Sequence, residues 1–369
     1  MKILKKIMQF FLVIIVLLIL GSILYLFHPR FGGRMEGERL ARMQSKPNFS
    51  EGKFDNLEST PALKEGSSTA DIWKNFFFTH VPRKKPEQPL PVDRINLHQL
   101  PRSQDAFVWF GHSSYYLQLD GKRILVDPVF SKYATPVRVS IRAFKMEYEY
   151  QVSDLPDIDI MVITHDHWDH LDYNTFMKIK DRVRHIVTGL GVGAHLEKWG
   201  FPAAQISELY WGESAEVEGL RFHSLTARHF SGRTFKRNVT LWSSYVLEGS
   251  KKIYIGEDSG YGKHFKEIGE RFGPIDFAFL ENGQYNELWR YIHMMPEEVP
   301  QAGRDLQARY IIPVHSAKFP LANHAWDEPL KRVYRAALEA DVHLLTPRLG
   351  QCMDLDDLKP TVPWWEGLE

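Results

Sequence analysis

Three histidines and two of the aspartates fall within Thr164-His165-Asp166-His167-Trp168-Asp169-His170, directly after the apolar run 160–163. An extended chain points alternate side chains to one side, so His165 and His167 can converge on one ion. Asp169 and His170, displaced by the turn that follows, can face a second ion close by. Imidazoles joined by a hard carboxylate suit Zn2+ best, with iron or manganese as alternatives. A solvated polar turn gives no packing reason for so many titratable groups to coexist. Two ions roughly 3.5–4 Å apart can share a water, lower its pKa towards neutrality and orient the hydroxide for attack on an ester or phosphodiester. That chemistry requires no serine or cysteine nucleophile.

Positioning such groups requires a rigid scaffold. Short β-branched and aromatic runs predict strands at 106–110, 115–119, 123–126, 160–164, 221–226, 241–247, 252–256, 277–280 and 310–314. Helices are expected at 173–180, 262–272, 296–307 and 329–340, with Pro296 and Pro329 at the first helical positions of the last two. Strands pairing as hairpins with helices inserted between them imply sheets covered by helices on the outside.

The chain of 369 residues has 46 Lys and Arg against 46 Asp and Glu, which excludes the basic excess of a nonspecific nucleic-acid binder. Its 44% hydrophobic and 13% aromatic fractions are those of a folded protein. A single cysteine, Cys352, rules out a disulfide scaffold or a cysteine-rich zinc module, so histidines and carboxylates must hold any metal.

Lys2, Lys5 and Lys6 precede a nearly unbroken apolar run, 7–27, that would span roughly 30 Å as a helix. Gly21-Ser22-Ile23 is a poor signal-cleavage site and apolar sequence continues past it, so residues 1–27 read as an uncleaved single-pass membrane anchor rather than a signal peptide. Arg30, Arg34, Arg39 and Arg42 offset the lysines and leave the sidedness open. Residues 28–100, punctuated by Gly32-Gly33 and repeated prolines, read as an extended arm packing on a catalytic domain at 101–355, with 356–369 as a tail. The arm's aromatic cluster, Trp73, Phe76, Phe77 and Phe78, is expected to dock onto the domain.

Several words resemble one family in the same order along the chain: Trp109-Phe110-Gly111-His112, Val126-Asp127-Pro128, residues 164–173, Leu241-Trp242-Ser243-Ser244, residues 256–261, Arg271-Phe272-Gly273-Pro274, Tyr291-Ile292-His293, and Pro313-Val314-His315 with Leu321-Ala322-Asn323. They are similar to segments of metallo-β-lactamase-fold hydrolases, in particular the branch containing N-acyl-phosphatidylethanolamine phospholipase D. The resemblance runs from about residue 45 to 350 and implies an α/β fold, an αββα sandwich with its metals at one end of the two sheets.

Residue by residue, it implies His229 as third ligand of the first metal beside His165 and His167, Asp258 as the bridge, and His315 at the second metal beside Asp169 and His170. Asp169, Asp258 and His293 are then expected to carry catalysis, His293 beside the substrate. Glu257 stands where the family often has glycine. His112 and Asp127 are read as hydrogen-bonding supports, Met294 and Met295 as core gap-fillers, and Tyr261, Tyr285 and Asn282 as substrate contacts. The implied activity is that of a two-zinc hydrolase, a phosphodiesterase of phospholipase D type acting on N-acyl-phosphatidylethanolamine-like lipids at a membrane. A lactonase or phosphorylated-sugar hydrolase is the alternative within the fold, ahead of β-lactam hydrolysis. A di-iron oxidoreductase and a non-catalytic, membrane-tethered metal-binding protein are the readings of other classes.

Overall fold

The computed structural model describes residues 2–137, 140–256 and 258–368, without the side chains of Phe76 and Phe77; Glu257 lies outside the described residues. Helix α1 (Lys2–Leu26) is long and apolar enough to cross a membrane, and none of its residues is buried. Then come α2 (Gly37–Gln44), a hairpin of β1 (Phe49–Ser50) and β2 (Lys53–Phe54), and α3 (Thr69–Phe78). The first sheet draws on β3 (Ala106–Trp109), β4 (Tyr115–Leu119), β5 (Lys122–Val126), β6 (Ile158–Ile163), β7 (Val183–Gly189) and β8 (Ile206–Leu209), with α4 (Tyr173–Ile179) and α5 (Gly193–Lys198) interspersed. The second draws on β9 (Ser214–Val217), β10 (Leu220–Leu225), β11 (Ser244–Glu248), β12 (Lys252–Ile255), β13 (Ile275–Glu281) and β14 (Ala308–Val314). Helices α6 (His264–Phe272) and α7 (Val299–Asp305) lie between these strands, and α8 (Glu328–Ala340) precedes the last strand, β15 (Cys352–Asp354).

Spatial order is β15-β3-β4-β5-β6-β7-β8 in one sheet and β14-β13-β12-β11-β10-β9 in the other. Each sheet is antiparallel at one end and becomes parallel at β5–β8 and β12–β14, joined by a long loop between β5 and β6 and by helical crossovers in the rest. Alternation along the strands builds the layers. Phe107, Trp109, Tyr115, Leu117 and Val162 meet Phe222, Tyr245, Ile255, Phe279 and Ile312 between the sheets. Their neighbours Val108, Tyr116 and Met161 face Phe176 and Leu196 of α4 and α5. Val246, Tyr254 and Ala278 face Phe265, Ile268, Val299 and Val333 of α6, α7 and α8. The result is the αββα sandwich.

Four expectations need correction. The strand expected from 241 begins only at Ser244, because residues 241–243 cross to the other sheet: Leu241 N–H donates to Leu190 O (2.8 Å) and Ser243 N–H to Thr164 O (3.0 Å). Pro296 does not open a helix; Glu298 closes a turn on Met295, and α7 starts at Val299 with Pro300 in its first turn. The arm is not simply extended, since α2 and α3 form within it, α3 behind a capping box of Ser68 and Asp71. Met43 and Phe54 anchor it, buried against Leu190, Trp211 and Trp242, whereas Trp73 and Phe78 are exposed. Phe76 and Phe77 belong to the side chains not described. Trp364 and Trp365, beyond the expected domain limit, lie buried in the core between the sheets.

Candidate metal centre

Strand ends from both sheets converge on one edge. Strand β6 stops at Ile163, and the chain turns through the motif with His170 N–H and Leu171 N–H both reaching His167 O (3.1 and 2.8 Å). His229 follows β10, Asp258 follows β12 and His315 follows β14. His315 (φ 67°) and His112 (φ 54°) are both left-handed, a conformation costly for residues with a Cβ, and two backbone bonds tie their loops: His112 N–H to Ser316 O (2.7 Å) and His315 N–H to His112 O (3.0 Å).

Among the described residues four overlapping groups of ligand atoms result, two of them built around the expected ligands and the others adding Glu281 with His293, and Asp127. In the first, His165 Nε2 and His229 Nε2 lie 2.8 and 3.2 Å from His167 Nδ1, and Asp258 Oδ2 is 3.7 and 3.4 Å from the first two. The second joins His112, Asp169, His170 and His315. Asp258 stands between them: Oδ2 is also 3.3 Å from His170 Nε2, and Oδ1 is 2.9 Å from His315 Nδ1 without the direction of a hydrogen bond. The structure thus brings together all seven residues His165, His167, Asp169, His170, His229, Asp258 and His315.

The donors fit a cation. Nδ1 of His229 lies 3.0 Å from Ile292 O, which can only accept, so the neutral ring turns a bare Nε2 lone pair towards the other imidazoles. His170 donates through Nδ1 to Asp127 Oδ2 (2.8 Å), and its buried Nε2 has no hydrogen-bond partner. Asp127 is itself fixed by the N–H and hydroxyl of Thr164 (2.9 and 2.6 Å), the support expected behind a ligating histidine. Burial and the neighbouring imidazoles hold His165 well below its ordinary pKa, and burial does the same to His229. Burial opposes charge on His170 too, but Asp258, Asp169 and Asp127 outweigh it and raise that pKa. His165 and His229 kept neutral beside an ionised Asp258 are in the state in which these groups ligate, whereas His170 must give up its proton to bind a cation through Nε2.

One fully buried acid was missed in the sequence. Glu281 ends β13, with Oε2 2.7 Å from His293 Nδ1 and Oε1 accepting Met294 N–H. Burial and repulsion from Asp258 push its carboxyl well above the carboxylate range, while burial lowers His293. The signal was a lone acid closing the apolar run 277–280. His112 also does more than brace the fold, with Nε2 2.8 Å from Asp169 Oδ2. By contrast, Tyr261, Tyr285 and Asn282 bond Asp305 (2.6 Å), Glu328 (2.8 Å) and the Pro329 carbonyl (3.0 Å), and none lines the cavity over the metal groups. Met294 is buried in the helix-covered core, and Met295 is half-buried.

That cavity, about 460 Å³, has His167, Asp169, His229, Asp258, His293 and His315 in its wall. Leu63, Ile72, Phe230, Trp289, Ile292 and Leu321 supply apolar surface, and Arg237 a cation. The motif loop is braced from behind by residues 28–33. Phe31 packs edge-on to Trp168 at 5.4 Å, and Arg233 lies over Trp168 while donating to Asp166 O (2.9 Å), Leu171 O (2.7 Å) and Arg30 O (2.9 Å). Gly33 N–H bonds His195 Nδ1 (3.0 Å), and His195 Nε2 lies 3.2 Å from Asp166 Oδ2. A Cβ at Gly33 would collide with Ala194 O, so only glycine permits this approach.

Residues 122–316, more than half the chain, match the beta-lactamase superfamily domain. The chain belongs to the metallo-β-lactamase superfamily. Along the sequence it is 38% identical to an uncharacterized protein of Mycobacterium bovis over 329 residues, 87% of this chain and 88% of the relative. It is 29% identical to N-acyl-phosphatidylethanolamine-hydrolyzing phospholipase D 1 of Caenorhabditis elegans over 303 residues, 74% of this chain and 83% of that one. Among solved structures, a metallo hydrolase from Ignicoccus hospitalis superposes with TM-score 0.51 at 21% identity, covering 68% of this chain and 97% of that chain. CmlA, a diiron beta-hydroxylase from Streptomyces venezuelae, does so with TM-score 0.53 at 18% identity, covering 68% and 54%. The metallo-β-lactamase superfamily member described here therefore has a metal-dependent hydrolase fold with candidate His/Asp metal clusters, on a scaffold that by itself does not select the metal.

Proposed function

We propose that this protein is a two-zinc phosphodiesterase of phospholipase D type that cleaves N-acyl-phosphatidylethanolamine-like glycerophospholipids and is tethered to a membrane by α1. The observation that carries the reading is the cavity in which apolar walls and Arg237 surround the ligand set, apposing room for acyl chains to a site for phosphate. The 29% identity to a phospholipase D over 74% of the chain supports the same substrate class.

His165, His167 and His229 would hold one zinc, and Asp169, His170 and His315 the other, with Asp258 between them. When bound, the pair supplies Lewis acidity and a water of lowered pKa. The chain's own groups do the rest. Asp127 and Thr164 fix the His170 ring. Glu281 keeps its proton and donates it to His293 Nδ1, which leaves the Nε2 hydrogen of His293 for the cavity. From there Nε2–H can hold a phosphate oxygen, or give its proton to the departing oxygen while Nδ1 takes up the proton of Glu281 and leaves a carboxylate. Apolar side chains around the mouth limit water at the reacting phosphate.

The test is hydrolysis of a panel of N-acylated and plain phospholipids, lactones and generic phosphodiesters by purified protein, with elemental analysis of the same sample. Release of phosphatidic acid from N-acylated lipid by protein holding two zincs is expected. Preference for a lactone, or inert protein with full zinc, overturns the reading.

A further inference from the structure

A second cavity, about 330 Å³, lies beside the C-terminal end of α1. Trp168, Asp172 and Tyr173 line it, whereas His167 and Asp169 on either side of Trp168 line the metal cavity, so one loop is the wall between the two. The foot of α1 is fastened to its rim: Tyr25 O–H donates to Pro136 O, and Arg30 Nη1 reaches Tyr25 Oη (3.0 Å) and the same carbonyl (2.9 Å).

Its charge is unbalanced. Arg30, Lys132 and Lys178 line it against one acid, Asp172. The Asp172 oxygens are spent on the N–H groups of Ser131, Asn174 and Thr175 (3.2 Å each) and on the Thr175 hydroxyl. Lys132 has an exposed partner in Glu149 (3.2 Å), and Arg30 Nε is buried without any hydrogen-bond partner. Cations mixed with Trp168, Tyr133 and Tyr173 at the end of an apolar helix are the side chains that settle at head-group depth. The exposed apolar flank of α1 offers a track for acyl chains leading to the same place.

We propose that this cavity binds the phosphate of an anionic membrane lipid, with its acyl chains lying along α1. The assignment rests on α1 being a membrane anchor, and it is separate from the substrate cavity.

The full-length protein is reconstituted in nanodiscs of equal phosphatidylglycerol and phosphatidylcholine, and the lipid retained after gentle detergent extraction is counted by native mass spectrometry. Liposome flotation of the same preparation is read first, because a chain that does not float refutes the anchor, whereas a chain that floats but retains no lipid refutes the cavity. One retained phosphatidylglycerol per chain is expected, with retention falling about fivefold for each charge removed in Lys178→Gln and Lys132→Gln. Arg34→Gln, an exposed cation of the same juxtamembrane segment outside the cavity, should keep it. Equal loss in Arg34→Gln, or equal retention of phosphatidylcholine, overturns the proposal. Displacement of the lipid by millimolar inorganic phosphate overturns the lipid as the source of the phosphate.

Discussion

His293 Nδ1 and Glu281 Oε2 are 2.7 Å apart, a buried histidine–carboxyl pair that touches the metal group through neither residue's backbone but through its position beside Asp258 and His315. The pair fixes the ring's orientation at the cavity wall. His293→Ala is expected to lower turnover roughly 10²–10⁴-fold with both metals retained. Elemental analysis beside single-turnover kinetics checks this; near-normal turnover in fully metallated protein removes His293 from catalysis, and loss of metal places it among the ligands. Glu281→Gln should show a smaller loss and a displaced pH profile.

Asp258 reaches both ligand groups, so its removal should cost more than one contact. Asp258→Ala is expected to lose metal from both positions, and His165→Ala chiefly from one. Metal content unchanged in both variants would dismantle the assignment.

Asp127 reaches the ligands through His170 Nδ1 and, by way of the Thr164 hydroxyl, through His165 Nδ1. Asp127→Asn should weaken metal affinity about 10–100-fold while the fold persists, because the His170 ring loses its anchor. Competition with a chromophoric chelator measures this.

Residues 28–33 give the motif loop a brace that α1 itself does not. Removal of residues 2–26 in detergent-free protein should leave the melting temperature nearly unchanged. Extending the deletion through Gly33 removes four hydrogen bonds, to Trp199, Arg233 and His195, and should lower it by about 5–10 °C. Equal melting temperatures would show that the brace is ornamental.

Lys318 is buried among Phe130 and Phe319, with Nζ 2.7 Å from Val129 O. Burial pushes its ammonium down to about 8. Below that pH the folded chain carries a charge its site disfavours, whereas between about 8 and the ordinary lysine value the folded form releases the proton before the unfolded form does. Wild type should therefore gain about 2 kcal/mol relative to Lys318→Met between pH 7 and 9.5. Urea denaturation of both proteins at the two pH values checks the sign.

How much of this was legible follows from where each determinant sits. His165 to His170 are contiguous, and strands such as β4 and β13 are buried on both faces, so a local reading finds them. Strands β8 and β9 escaped because Ile-Ser-Glu-Leu and Ser-Ala-Glu-Val mix polar and apolar residues at sheet margins. Glu281 escaped because its meaning depends on His293, twelve residues on. Residues 241–243 read as strand by composition, yet Gly189 and Leu190 of the opposite sheet claim that backbone, a contact no window of sequence contains.

Strand β15, near the end of the chain, pairs with β3 at the edge of the first sheet, Met353 opposite Phe107. During synthesis β15 is made after every ligand residue, so the first sheet stays open along β3 while the ligands are already in the chain. A chain cut short before residue 352 would contain all its ligand residues but leave β3 without its edge partner. Quality control would meet that edge, exposed to neighbouring chains, before it met any missing activity.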